Sequence, residues 1–224
     1  RNDGPFTPPS LEGSLVVPSN VGGAHWGGVA YDPGRHIAVV PVNRLAAIIQ
    51  LIPVDRFDTA EARQNSGRLD DQYTRMRGTP YVMRRRILKA PSGLPCTPPP
   101  WGALVGINLE TGAKAWEVPL GDPATLRPQL AAISKTPLGL PNLGGPIVTA
   151  SGIAFIGAAI DHFLRAFDVA TGRELWRGAI PAGARATPMT YEIGGKQYVV
   201  ICVGGSEDWG SGDYVIAFGL SAAP

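Results

Sequence analysis

Three stretches carry the side chains best suited to meeting a small ligand. In "GGAHWGG" (residues 22–28), glycines on both sides of His25-Trp26 let the backbone turn sharply or approach a bound molecule. His25 reads either as a site residue or as a strand-entry histidine bonded to backbone. Trp26 reads either as part of a pocket or as core. In "DHFLRAF" (residues 161–167), Asp161 opens a turn between two strands. A carboxylate there can hold a lysine or arginine or orient a substrate hydroxyl; the alternative is an aspartate that caps its own turn. His162 reads as a solvated turn residue, and Arg165 as a structural partner for an acid on a neighbouring sheet. Gly204-Gly205, followed by "SEDWGSGD", ends a strand in a loop. Trp209 in that loop either walls a pocket or covers a neighbouring sheet, and Glu207 and Asp208 are candidates for shaping selectivity.

Other chemistries lack their signatures. No His/Cys cluster has zinc-ligand spacing, and His36 sits beside a turn. No G-x-S-x-G, phosphate-binding loop or dinucleotide fingerprint is present. The basic cluster "RMRGTPYVMRRRILK" (residues 75–89) is a solvated insertion loop or a surface for anionic lipid or an acidic partner. The net charge of +2 gives no support for a nucleic-acid partner. Cys96 and Cys202, one in a loop and one in a strand, read as unpaired thiols.

The elements that must position these residues are strands. The chain has 224 residues, 44% of them hydrophobic, with 29 Gly and 22 Pro, which suits many short segments joined by turns. No apolar run is long enough to cross a bilayer as a helix. The start, "RNDGPFTPPS", is polar and turn-rich, unlike a signal peptide, and reads as the interior of a longer polypeptide.

"VGINLETGAKAW" (residues 105–116) and "RAFDVATGRELW" (residues 165–176) repeat one hairpin: a strand, a Thr-Gly turn, and a strand closing on tryptophan. Around them the chain reads as sequential antiparallel meanders. One sheet spans 25–120 with a polar insertion at 55–100, and "AIIQLIP" (residues 47–53) continues or follows its second strand. A second spans 144–180, and a third, lacking its fourth strand, spans 186–220. Repeated four-stranded meanders define an all-β chain, a partial β-propeller of antiparallel blades. Trp116 and Trp176 then pack their rings against the neighbouring sheet. Each such ring contributes on the order of a few kcal/mol.

These hairpins resemble the tryptophan-docking motif of the eight-bladed PQQ-dependent (quinoprotein) dehydrogenases, of which this chain supplies about three blades. "PSNVGGAHWGGVAYDP", "GTPYVM", "GLPCTPPPWGALVGINLETG" and "GDYVIAFGL" are similar to the C-terminal part of the membrane-bound, glucose dehydrogenase-like members. The resemblance implies PQQ in a central funnel near calcium, oxidation of a sugar or polyol hydroxyl, and electron transfer to ubiquinone. It implies a periplasmic location, with membrane association through regions absent from this chain. The family's catalytic base, calcium ligands and PQQ-stacking tryptophan match no motif here and are expected outside the chain. Carried onto this sequence, the expected cofactor neighbours are His25, Trp26, Asp161, Gly204, Gly205 and Trp209. The family usually has asparagine where His25 stands; an imidazole can still donate to a quinone oxygen. The remaining blades, or a partner chain, would complete the ring. The competing readings are a cofactor-free protein-binding propeller and an assembly subunit.

Overall fold

A computed structural model describes residues 1–64, 70–126, 137–205 and 209–220. Its strands run β1 (Ser14–Val16), β2 (Ala30–Asp32), β3 (Ile37–Asn43), β4 (Ala47–Pro53), β5 (Asp71–Arg75), β6 (Tyr81–Ile87), β7 (Gly102–Asn108) and β8 (Lys114–Pro119). They continue as β9 (Ile147–Val148), β10 (Ile153–Ile156), β11 (Phe163–Asp168), β12 (Glu174–Ala179), β13 (Met189–Ile193), β14 (Lys196–Val203) and β15 (Tyr214–Gly219). One short helix, α1 (Thr59–Gln64), follows β4. The all-β class is as expected.

The chain divides into two compact units. The first takes residues 1–23 and 44–98. Its sheet has the order β1-β4-β6-β5. Of the two alternatives for residues 47–53, the structure takes the second: they follow β3 as a separate strand, pairing with β1 and β6. The expected polar interruption at 55–100 contains β5 and β6, which form a hairpin. Three of its basic residues are engaged or buried: Arg84 binds Asp71 through Nε at 3.0 Å and Nη2 at 2.7 Å. Lys89 pairs with Asp70, and Arg85 is buried. Burial lowers the Arg85 pKa, while Asp70 and Asp71 push it back up.

The second unit holds residues 24–43, 99–205 and 209–220 among those described. It contains three meander sheets, β2-β3-β7-β8, β9-β10-β11-β12 and β13-β14-β15. Ile37, Val39 and Leu104 of the first sheet pack against Ala154, Ile156 and Phe167 of the second. Leu164 of the second packs against Val199, Ile201 and Val203 of the third, with Phe155 against this cluster. Alternation along β10 and β11 therefore loads both faces of the middle sheet, as strands buried on two sides require.

The repeated hairpins are built alike. Asn108 Oδ1 accepts from the Glu110 and Thr111 N–H groups at 2.9 and 3.0 Å. Asp168 Oδ1 accepts from the Thr171 N–H and hydroxyl at 2.9 and 3.0 Å. Gly112 and Gly172 close the turns at φ of 70° and 73°, a region that costs glycine little. In both sheets the ladder shifts register where the tryptophan pairs, Trp116 opposite Gly106 and Trp176 opposite Ala166.

The two tryptophans then diverge. Trp116 is 9% exposed, and its Nε1–H donates to the Val169 carbonyl of the second sheet at 2.8 Å. Its ring lies so close to Gly106 and Gly172 that an added Cβ would come within 2.3 and 2.5 Å of it. Trp176 has an alanine opposite it instead. It meets Phe218 of the third sheet edge-on, with ring centroids 5.3 Å apart, and stays 40% exposed.

Two outcomes follow for urea unfolding and NMR titration. Trp116→Ala should cost about 3–5 kcal/mol, the range for deleting a buried aromatic, and Trp176→Ala clearly less, measured as the shift in urea midpoint. The Thr171 hydroxyl, helped by the Thr171 and Ala170 N–H groups, holds the Asp168 carboxyl below its ordinary pKa. A depressed carboxylate stabilises the fold above its unfolded pKa of about 3.9, and that contribution disappears as pH falls through the folded value. Asp168→Asn, copying Asn108, should leave neutral-pH stability nearly unchanged and flatten this acid dependence. Carboxyl 13C shifts of Asp168 should titrate below those of an exposed aspartate.

Candidate functional site

Antiparallel order brings one set of strand ends together in the second unit. The approaches to β2, β9 and β13, the β10–β11 turn and the β14–β15 connection share one end of the three sheets. The described candidates His25, Trp26, Asp161, Gly204, Gly205 and Trp209 lie there.

The strand approaches touch backbone to backbone. A Cβ on Gly27 would fall 2.3 Å from the Gly144 carbonyl carbon, and one on Gly145 would fall 1.9 Å from the Gly27 oxygen. Gly144, at φ 134°, is equally pressed by the Arg185 carbonyl, 2.9 Å from its would-be Cβ. Glycine is required here because successive sheets converge.

His25 and Trp26 enter this contact together. His25 is half-buried; its Nε2 lies 3.0 Å from Asn142 Oδ1, and its Nδ1 accepts from the Gly27 N–H at 3.2 Å. Both ring nitrogens are thus engaged by the protein, including the one expected to reach a quinone oxygen. The Trp26 ring is 70% exposed, which removes the core-packing alternative.

Asp161 is buried, and both of its oxygens are occupied. Oδ1 accepts from Arg165 Nη1 at 2.9 Å, and Oδ2 accepts from Arg165 Nη2 and from the Asp122 N–H at 2.7 Å. Arg165 also reaches Glu174 on β12, with Nε 3.3 Å from Oε2. Its acids therefore lie on its own sheet, not on a neighbouring one as expected. The reason is register: Arg165 is the third residue of β11, four residues after Asp161, and pairs with β12. The pair clamps the exit of the first sheet at Asp122 to the β10–β11 turn. A substrate hydroxyl would have to displace one of these donors.

In the β14–β15 connection, the described residues Gly204, Gly205 and Trp209 pack against the protein. Trp209 is 1% exposed, and its carbonyl accepts from the Gly183 N–H at 2.5 Å. A Cβ on Gly183 or Gly205 would come within 2.6 or 2.7 Å of Trp209 atoms. Gly204, at φ 150°, donates to the Gly183 carbonyl at 3.1 Å. Of its two readings, Trp209 takes neither an open wall nor a neighbouring sheet; it packs on the loop entering β13. Glu207 and Asp208 lie outside the described residues. His162 is half-buried rather than solvated, with Cε1 3.4 Å from the position of a Cβ on Gly210.

Sequence reasoning missed Asn142 and Asn43. Both are buried, and the Asn43 side chain holds the Asn142 backbone at both groups: the Asn142 N–H donates to Asn43 Oδ1 at 2.9 Å, and Asn43 Nδ2 donates to the Asn142 carbonyl at 2.8 Å. "PNLGG" offered a signal, an asparagine amid turn residues at a strand approach. It reads as an ordinary turn until β3 is brought beside it. Among the described residues no group of three or more His, Cys, Asp or Glu could hold a metal ion. Cys96 and Cys202 are free and exposed.

Face-to-face meander sheets, one joined to the next by a docked tryptophan, define this unit as part of a β-propeller. The family profile "PQQ: Glucose/ethanol/alcohol dehydrogenase, beta-propeller domain" matches residues 1–199, and the chain belongs to that family. It is 41% identical over 222 residues to "Quinoprotein glucose dehydrogenase A" of Acinetobacter calcoaceticus, covering 97% of this chain and 27% of that protein. It is 39% identical to "Quinoprotein glucose dehydrogenase" of Escherichia coli (98% and 28%) and 38% identical to "Probable quinate dehydrogenase (quinone)" of Xanthomonas campestris (100% and 29%). The chain thus spans less than a third of these relatives' length. Among solved structures, the quinohemoprotein alcohol dehydrogenase of Comamonas testosteroni matches with a TM-score of 0.59 at 21% identity. That alignment covers 95% of this chain and 28% of the solved one. A europium-containing methanol dehydrogenase matches at 0.57 and 22%, over 86% and 27%. Both have the same fold.

The Asp161–Arg165 pair makes a direct prediction. Asp161→Asn leaves a buried guanidinium short of its main counter-charge and should cost about 3–5 kcal/mol in urea unfolding. Replacing both, as Asp161→Asn with Arg165→Met, should recover much of that loss. A ligand-only role for Asp161 would leave the single variant as stable as the parent.

Proposed function

We propose that this chain forms one wall of the PQQ site of a quinoprotein dehydrogenase acting on a sugar or polyol hydroxyl. The observation that carries the reading is Trp26. A large aromatic ring stands 70% exposed on a backbone pinned from both sides, at the end where every strand approach converges. A flat conjugated quinone is a suitable stacking partner for such a ring. The exposed Arg185 side chain, on the approach to β13 at the same end, suits the carboxylates of such a cofactor. When bound, PQQ supplies the two-electron chemistry, while the protein's part is to bind and orient it.

Within this chain Trp26 offers a stacking face and Arg185 a cation. Asp161 and Arg165 hold the loop geometry around them, and the glycine contacts keep side chains out of the converging approaches. Among the described residues no cluster of acidic side chains suits calcium, which supports metal ligands and a catalytic base supplied by the remaining blades. The relatives named for glucose and quinate dehydrogenation support a polyhydroxy substrate. The relative named as a quinone-linked dehydrogenase supports ubiquinone as acceptor. We place the domain on the periplasmic side, attached to the inner membrane through other regions. Among the described residues no helix is long and apolar enough to cross a membrane. The β15 edge has no partner strand among the described residues, which supports completion of that sheet by the remaining blades.

Titrating the chain with PQQ, with and without calcium, should quench tryptophan fluorescence saturably. Trp26→Ala should weaken that binding by about tenfold or more, the loss of one good aromatic contact. Its urea midpoint should barely move, since an exposed side chain contributes little to folding. Equal quenching of parent and variant would remove Trp26 from the site, and the absence of any quenching would remove PQQ from this chain.

A further inference from the structure

We propose that Asn142 is a positioning residue: together with the Gly27 N–H it locks the His25 ring in one orientation and, through His25, sets the direction in which Trp26 is presented. The proposal rests on the reading of Trp26 as a cofactor contact.

Hydrogen-bond bookkeeping on the imidazole leaves one solution. The Gly27 N–H can only donate, so Nδ1, 3.2 Å away, must carry a lone pair. The single proton of the neutral ring therefore sits on Nε2 and points at Asn142 Oδ1, 3.0 Å away. The amide direction is set independently. Asn142 Nδ2 donates to the Val42 carbonyl at 3.1 Å, so a flipped amide would turn oxygen to oxygen there and NH2 to N–H at His25. Asn142 itself cannot swing, because its own N–H and carbonyl are both held by the Asn43 side chain. Both asparagines are buried, at 0% and 1% exposure, so each bond is sheltered from water.

The chain of support runs outward from the core. Asn43 holds the Asn142 backbone, and the Val42 carbonyl holds its amide. The amide oxygen holds His25, and His25 holds the Gly27 N–H. Trp26 lies between the two anchored residues. Gly27 is further confined by the Gly144 backbone, which leaves no room for a Cβ. An exposed ring on an anchored backbone is preorganised, so binding orders less of the protein. A neutral imidazole in this tautomer offers one acceptor and one donor, the same pair a carboxamide offers. That explains how histidine can stand where the resembling family usually has asparagine. His25 then acts through Trp26 rather than by donating to the ligand.

The test reads the tautomer directly. Long-range 1H–15N correlation on the labelled chain at about pH 8, where imidazole is neutral, should show His25 with a protonated Nε2 and a bare Nδ1. Asn142→Ala should keep this tautomer, which the Gly27 N–H still requires, but expose the Nε2–H to faster exchange with water and weaken PQQ quenching by about tenfold, the effect of losing one buried hydrogen bond. His25→Asn should keep PQQ affinity within about twofold, while His25→Phe should lose about as much as Asn142→Ala. His25→Phe also reads the link to Trp26 if Asn142→Ala does not fold. An Nδ1–H tautomer in the parent, or unchanged Nε2–H exchange in Asn142→Ala, overturns the proposal. So does undiminished PQQ binding in His25→Phe. If the parent binds no PQQ, the functional reading fails by itself, and the parent's tautomer still decides whether the network is assembled as described.

Discussion

The second unit depends on one contact, the Trp116 indole laid across the gap between two sheets. A meander sheet has two faces and cannot bury both alone, so each must be fastened to the next. Trp116 does this with a large apolar area and one directional bond. The Val169 carbonyl it binds directly follows β11, so the bond fixes register between sheets as well as adhesion. The contact needs absence as much as presence. Gly106 and Gly172 have no Cβ, and the ring occupies the volume that a Cβ would claim. Trp176, with Ala166 opposite it, lies instead over Gly178 of its own strand and meets Phe218 by its edge.

Docking sheets this way crowds one end of the unit. The approaches to β2, β9 and β13 meet there as backbone, through Gly27, Gly144, Gly145 and the carbonyl of Arg185. Side chains that remain at that end must either be satisfied internally or face outward. Asp161 and Arg165 take the first course, and Trp26 takes the second. His25 lies between them, its polar atoms spent on the protein and its neighbour presented to the outside. The buried ion pair is costly to desolvate, and it is retained with a backbone N–H as third partner. Its local effect is to join the Asp122 exit to the β10–β11 turn.

The first unit shows where sequence patterning misleads. β5 (Asp71–Arg75) and β6 (Tyr81–Ile87) carry charge at positions that usually mark a loop. They are strands because Arg84 finds Asp71 across the hairpin, 13 residues away, and Val82 and Arg85 are buried within their sheet. Charges that cancel across a ladder look, along the chain, like a solvated basic run. The departure of β4 to join β1 is likewise a pairing between segments more than thirty positions apart, as in Ser14 with Ile49.

What the sequence by itself determined is local. Each Thr-Gly turn is closed by an Asn or Asp a few residues before it, and each glycine takes the positive φ the turn demands. Those interactions close within five residues, so order and spacing reveal them, and the repeat, the strand class and the family resemblance follow. The tertiary structure decided which of two equivalent tryptophans is buried, that Asp161 is bound by Arg165, that Trp209 is core, and which partners meet the two nitrogens of His25. Each of these depends on a partner brought from elsewhere in the chain. Asn142 lies 117 positions from His25, and only the convergence of sheets places its oxygen 3.0 Å from the ring. Hydrogen bonding and burial are properties of distance in space, and for these residues distance along the chain does not determine it.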